Sequence, residues 1–267
     1  MEHHPAWGAP RMNTVSALRG DSTVSDAAEK GLMDKGNGTG NHHAFLKSID
    51  VIAFDCDGVL FDSSEANVLF YNHILDKIGL QAEVRLEQRQ YVHMHPVRES
   101  LQYLTGGGEA FRAAWAYVQT MDIWPFNRHL KQEPGLLTIL ELAKSCYLTA
   151  LATNRTVSTH EVLAHFQLDQ YFDLVVSASD VKHPKPHPEI MERICESFEV
   201  DPDQVLYVGD SPVDEAFASA TGVVFAAYKN PELKAHLHIG HFDELHALLS
   251  RETENGVSRG GKPCGRR

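Results

Sequence analysis

Residues 51–63 read VIAFDCDGVLFDS, an apolar run that ends in Asp55 and Asp57 with Cys56 between them, then Gly58, and a further aspartate at Asp62. A short apolar run with β-branched and aromatic members, closed by an Asp-Gly turn, predicts a buried strand. Four similar runs follow: YLTALA from 147, LVVS from 174, VLYV from 205 and VVFAA from 223. Helical spacing lies between them. Leu136, Leu140 and Ala143 share one face, as do Ile190, Met191, Ile194 and Phe198, and Val213, Phe217 and Ala220. Such alternation predicts an α/β fold, a parallel sheet with helices on both faces.

The gap between the first two runs breaks this pattern. Val68, Tyr71, Leu75 and Ile78 step by helical intervals up to Gly79, and Val97, Leu101 and Leu104 do the same up to the glycines at 106–108. Phe111, Ala114, Trp115 and Val118 form a further face. An insertion of this length is too long for a loop and predicts an α-helical cap domain over 64–130. The core then comprises 47–63 and 131–250. Residues 1–46 and 251–267 carry Gly, Ser, Asn and charge without apolar periodicity and are expected to be flexible extensions, the second of them basic.

Composition limits the function. The chain has 267 residues, 43% of them apolar, enough for a proper core, and a formal charge of −12. That charge disfavours nucleic acid or an anionic membrane as partner, since both reward a basic face. A small molecule is the expected ligand. With no apolar segment near the roughly 20 residues of a membrane helix and no secretory leader, the expected location is cytoplasmic. Cys56, Cys146, Cys195 and Cys264 lie far apart and read as thiols. The doublets His3-His4 and His42-His43 lie in polar sequence and receive no role.

In an open parallel sheet, ligands bind beyond the carboxyl ends of the strands. Here those ends carry Asp55 and Asp57, then Thr153 and Asn154, then the segment DVKHPKPHPE from 180, then Asp210 and Asp214. A lone aspartate after a strand is commonly a turn former or a helix N-cap. Clustered carboxylates repel one another and usually share a cation, and an all-oxygen set suits Mg²⁺, which in turn favours a phosphorylated substrate.

DCDGVLFDS, the ATN at 152–154, KPHPE at 185–189 and GDSPVDEAFASATG at 209–222 resemble, in order and spacing, the four signature motifs of the haloacid dehalogenase-like hydrolase superfamily. The helical segment after the first motif resembles the C1-capped subfamily, which contains phosphoglycolate phosphatase, β-phosphoglucomutase, small pyrophosphatases and phosphonatases. The resemblance spans about residues 49–228 and implies a Rossmann-like core under a cap. It implies Asp55 as a nucleophile that forms an aspartyl-phosphate, and Asp57 as general acid and base, with its backbone carbonyl also on the metal. Thr153 and the backbone N–H of Asn154 would hold the phosphoryl group, and Lys185 would neutralise the crowded charge, with Lys182 as the rival lysine. Asp210, and Asp214 four residues on, would complete the metal site, Asp214 holding either the metal shell or the lysine. In the cap, Arg98 and His95 are candidate substrate contacts, though a surface arginine fits Arg98 equally well.

Two residues of the opening stretch fall outside the chemistry. Asp62, followed by Glu65, has the spacing of a capping arrangement at the start of the first cap helix. Cys56 projects opposite to Asp55 and Asp57 on an extended chain and reads as a packed thiol.

The expected activity is therefore Mg²⁺-dependent hydrolysis of a small phosphorylated metabolite, phosphoglycolate-like or a sugar phosphate. A mutase and a pyrophosphatase are the alternatives; a phosphonatase is disfavoured by a lysine-poor cap, dehalogenation by Asp57 and the Gly-Asp-Ser motif, and a silent phosphometabolite-binding module by intact motifs.

Overall fold

The computed structural model describes residues 45–155 and 158–254. Most of the two expected extensions, together with Cys264 and the histidine doublets, lies outside the described residues. Six strands form one parallel sheet: β1 Val51–Phe54, β4 Leu148–Thr153, β5 Leu174–Ser177, β6 Val205–Gly209, β7 Val224–Tyr228 and β8 Leu237–Ile239. Their order is β5-β4-β1-β6-β7-β8. The five apolar runs are thus five of the strands, and β8 is added at the edge.

The reason for the hydrophobic run at β1 lies in its central place. All four of its residues are fully buried, with Ile52 and Phe54 in one core cluster and Val51 and Ala53 in the other. A strand covered on both faces has no position for a polar side chain until it ends, and burying each large apolar side chain contributes about 1.5–3 kcal/mol. The first polar residue, Asp55, therefore marks the end of the strand. Chain connections run from β1 toward β4 on one side and from β6 toward β7 on the other. Because the connections after β1 and β6 leave in opposite directions, the carboxyl ends of these two strands mark the usual ligand position in sheets of this kind.

The insert leaves and returns through a two-stranded antiparallel ribbon, β2 Phe61–Asp62 with β3 Lys131–Gln132. Between them run α1 Ser64–Lys77, α2 Leu86–Met94, α3 Val97–Thr105, α4 Gly108–Val118 and α5 Trp124–Asn127. These helices bury their own cluster of Tyr71, Ile74, Val84, Val92, Leu101 and Ala114, separate from the two sheet-face clusters. The remaining helices flank the sheet: α6 Leu136–Cys146, α7 Thr159–His165, α8 Glu189–Phe198, α9 Pro212–Thr221 and α10 Phe242–Glu254. Among the described residues no helix is long and apolar enough to cross a membrane.

Two local details differ from expectation. Asp62 Oδ1 does accept the backbone N–H of Ser64 at the start of α1, at 2.9 Å, but Glu65 does not complete a capping box. Its carboxylate instead pairs with Lys131 across the ribbon at 2.6 Å, because β3 brings a cation within reach. Cys56 and Cys195 are free thiols, as expected, whereas Cys146 is disulfide-bonded.

Candidate active site

The loop after β1 turns sharply. Gly58 has φ +81 and its N–H donates to the carbonyl of Phe61 at 2.8 Å. A Cβ at this position would lie 2.1 Å from Asp210 Oδ2, so the missing side chain lets the β1 and β6 ends approach each other. The backbone N–H of Asp55 donates to Val208 of β6 at 2.9 Å, which fixes the same approach.

Lys185 occupies the centre. Its side chain is 2% exposed, with Nζ 2.9 Å from Asp55 Oδ1 and 2.7 Å from Asp214 Oδ1. It also donates to the hydroxyl of Tyr207 at 2.8 Å. The segment that carries it is clamped by Asn154, whose Nδ2 donates to the Lys185 carbonyl and whose Oδ1 accepts the Lys185 N–H, both at 2.9 Å. Lys182 is exposed, and its backbone N–H donates to Glu189. Of the two rival lysines, Lys185 is the one gathered beside Asp55.

Asp214 has both oxygens engaged. Oδ1 accepts from Lys185 and from the Tyr207 hydroxyl at 2.5 Å, and Oδ2 accepts from Ser211 Oγ at 2.6 Å and from the backbone N–H groups of Asp210 and Ser211. Ser211, not Asp210, caps α9, accepting the Asp214 N–H in return. This leaves the Asp210 carboxylate free of capping duty and turned toward Gly58. The geometry gives Asp214 the holding of the lysine, one of the two roles weighed for it.

The electrostatics reveal a deficit of positive charge. Ligand atoms of Asp55, Asp210 and Asp214 lie within 4.8 Å of one another, with one lysine among them. Burial pushes the Asp55 carboxyl up to about 7; Lys185 opposes that rise and Asp214 adds to it. Burial, then Asp214 and Asp55, hold the Asp210 carboxyl well above its usual range. Burial would raise Asp214 as well, but Lys185 and the hydroxyls of Ser211 and Tyr207 pull it below that range. Lys185 is held protonated against its burial by Asp214 and Asp55. The Oδ1 of Asp55 is buried, with the Lys185 ammonium 2.9 Å away as its charge partner. Two carboxyls forced toward the neutral form around a single lysine fit a small divalent cation, which hard oxygen donors hold well.

Asp57 stands apart from this cluster. Arg155 binds it at two points, Nη2 to Oδ1 at 2.6 Å and Nε to Oδ2 at 3.2 Å. Burial alone would raise its carboxyl, but the guanidinium charge and hydrogen bonds hold it below the usual range, with a further contribution from His93 on α2. Thr153 is buried at the end of β4, and its Oγ1 accepts the Arg155 N–H at 3.0 Å. Cys56 is buried beneath the loop, and burial raises its thiol well above the ordinary value.

The cap candidates make their contacts within the insert. His95 stacks on Tyr91 with ring centroids 3.8 Å apart, and the Arg98 guanidinium lies over Trp115 at 5.7 Å. Sequence reasoning missed Arg155 and Tyr207. Arg155 directly follows the second motif, and that adjacency was the available signal. Tyr207 was hidden inside an apolar strand.

The model of the haloacid dehalogenase-like hydrolase family matches residues 52–228, which include every residue of the strand-end cluster. Pyrophosphatase PpaX of Bacillus mycoides is 40% identical over 180 residues, 62% of this chain and 77% of that one. A phosphorylated carbohydrates phosphatase of Thermotoga maritima is 29% identical over 180 residues, 66% of this chain and 82% of its own. Among solved structures, a HAD-superfamily hydrolase of subfamily IA, variant 1, from Geobacter sulfurreducens superimposes with a TM-score of 0.65 at 36% identity, covering 76% of this chain and 97% of the other. With sheet, crevice and motif residues in agreement, the chain belongs to the haloacid dehalogenase-like hydrolases and is an enzyme of that family's phosphatase kind.

Proposed function

We propose that the protein is a Mg²⁺-dependent phosphatase that hydrolyses a small phosphomonoester through an aspartyl-phosphate on Asp55. The observation that carries this reading is the Asp55 carboxylate itself: buried at the crevice, with Oδ1 2.9 Å from Lys185 and gathered with Asp210 and Asp214 around that one lysine. A carboxylate nucleophile needs no base to deprotonate it once a cation keeps it ionised. Asp55, Asp210 and the backbone carbonyl of Asp57 would hold Mg²⁺, with Asp214 behind them; the ion would supply charge neutralisation to the phosphoryl oxygens and to the crowded carboxylates.

In the first displacement an Asp55 oxygen bonds to phosphorus as the ester P–O bond breaks, and the departing alkoxide takes a proton from Asp57, which Arg155 holds ionised in the free enzyme and which therefore takes up that proton when the anionic substrate binds beside it. In the second, Asp57 accepts a proton from water as that water's oxygen bonds to phosphorus. The bond from phosphorus to Asp55 breaks, releasing phosphate and restoring the carboxylate. Lys185 offsets phosphoryl charge, and Thr153 Oγ1 with the Asn154 N–H would hold the phosphoryl oxygens. Asn154 has a second task, because its side chain fixes the Lys185 backbone. The insert would act as a cap that covers the crevice and sets specificity, with residues 64–130 as cap and 47–63 with 131–250 as core. His95 and Arg98 remain candidates for substrate contact from the cap. A formal charge of −12 supports a small metabolite over nucleic acid or an anionic membrane.

A diphosphate is the second substrate class, favoured by the 40% identity to a pyrophosphatase. A screen of phosphorylated metabolites that includes inorganic pyrophosphate and glucose 1-phosphate, with Mg²⁺ and with a chelator, tests the reading. Phosphate release from a monoester only with Mg²⁺ supports it. Preference for pyrophosphate moves the substrate class, isomerisation of glucose phosphate without net phosphate release indicates a mutase, and turnover unaffected by the chelator contradicts the metal requirement.

A further inference from the structure

The Asp57 carboxylate is aimed by a residue from another loop. Arg155 grips both of its oxygens, at 2.6 and 3.2 Å, in the two-point geometry that a planar guanidinium fork makes with a carboxylate. The same guanidinium reaches Asn127 Oδ1 at 2.8 Å through Nη1, and Ser158 Oγ at 3.4 Å. The Arg155 backbone is itself held, its N–H donating to Thr153 Oγ1. Asn127 ends α5, the final helix of the insert, and is buried with an Nδ2 that has no hydrogen-bond partner. One side chain therefore joins the β1 loop, the β4 loop and the point where the insert returns. Asp57 is 37% exposed and Arg155 11%, so the carboxylate faces outward while the arginine supports it from within.

We infer that Arg155 is a positioning residue that aims the Asp57 carboxylate and, through Asn127, makes that aim depend on where the end of the insert sits, a role that rests on Asp57 being the acid and base. Lysine does not substitute geometrically, because an ammonium group offers no planar fork. An acid that protonates the leaving group matters most when that group is strongly basic, whereas p-nitrophenolate departs with little help. General acid–base groups contribute about 10²–10⁴-fold.

The test compares kcat/KM, which reads the first displacement, for p-nitrophenyl phosphate and for the best alkyl phosphate of the screen. Asp57→Asn is run in parallel, and folding is checked by circular dichroism. Arg155→Met is expected to lose at least about 10-fold more with the alkyl ester than with p-nitrophenyl phosphate. Asn127→Ala should show the same skew to a smaller extent, and the double variant should be no worse than Arg155→Met alone. Equal losses on both esters, no loss, or fully additive losses would overturn the role. If Asp57→Asn is skewed and Arg155→Met is not, only this inference falls; if Asp57→Asn itself shows no skew, the acid assignment has failed and the inference falls with it. Should Arg155→Met not fold, Arg155→Lys, which keeps the charge without the fork, carries the same comparison.

Discussion

Gly58→Ala offers a perturbation whose size can be worked from distances. The residue sits at φ +81, where an L side chain costs roughly 1–2 kcal/mol. The new Cβ would also stand 2.1 Å from Asp210 Oδ2, 2.4 Å from Cγ and 2.6 Å from Oδ1, all below the 3.0 Å that real contacts require. The carboxylate must therefore move by on the order of 1 Å, and a displacement of that size in a reacting site costs about 100-fold. It is also half the length of an Mg²⁺–oxygen bond, about 2.0–2.1 Å. Gly222→Ala is the matched control: φ there is +77, but nothing lies within 4 Å of the added carbon. Both variants should melt a few degrees lower, about 2–4 °C per kcal/mol for a chain of this size. Gly58→Ala alone should lose about 100-fold in kcat/KM and require more Mg²⁺ for half-maximal rate, read by steady-state kinetics over a Mg²⁺ titration. If Gly58→Ala keeps the activity and Mg²⁺ requirement of Gly222→Ala, the close approach of the β1 loop to Asp210 has no catalytic meaning and the reasoning is wrong.

Other predictions follow from the same geometry. Asp214→Asn weakens the acceptor shared by Lys185, Tyr207 and Ser211 while Asp55 still faces the lysine, so stability should fall by about 1–3 kcal/mol in chemical denaturation, and no measurable loss would contradict the holding role. With a chelator present, folded Asp55 keeps its proton up to about 7 while the unfolded chain releases it near its ordinary value, and Asp210 is shifted the same way. Stability from these groups is therefore present at low pH and lost as pH rises through about 7, with a ceiling of roughly 4 kcal/mol for Asp55. Thermal melts should accordingly show a larger stabilisation by Mg²⁺ at pH 8 than at pH 5; an equal or reversed difference would refute the charge deficit. Cys56, buried with its thiol raised, should resist iodoacetamide in the folded enzyme, and Cys56→Ala should retain kcat; inactivation by the reagent at Cys56 would reopen a role for the thiol.

The sheet was readable because its central strands are buried on both faces, which forces unbroken apolar runs such as VIAF and VLYVG. The edge strand Leu237–Ile239 was not, since its burial alternates around an exposed His238 and its run is only three residues long. The ribbon of Phe61–Asp62 with Lys131–Gln132 is too short for any periodicity, yet it explains why Glu65 pairs with Lys131 instead of closing a cap. Within the site, the strand-end carboxylates and Lys185 were legible because each follows an apolar run or a Pro-rich turn. Arg155 was not assigned because its partner Asp57 lies 98 positions away, and a one-dimensional pattern cannot register such a pair. Tyr207 was read as core, which it is, but its hydroxyl also bridges Lys185 and Asp214.

The central claim, a covalent bond between Asp55 and phosphorus, is open to direct capture. In Asp57→Asn the second displacement lacks its base, so mixing that variant with p-nitrophenyl phosphate and Mg²⁺ should let the phosphoenzyme accumulate. Acid quenching followed by borohydride reduction converts a phosphorylated aspartate to homoserine, which peptide mass spectrometry locates in the chain. Homoserine at position 55, dependent on substrate, is the predicted result; its absence there during turnover, or its appearance instead at Asp210 or Asp214, would contradict the account.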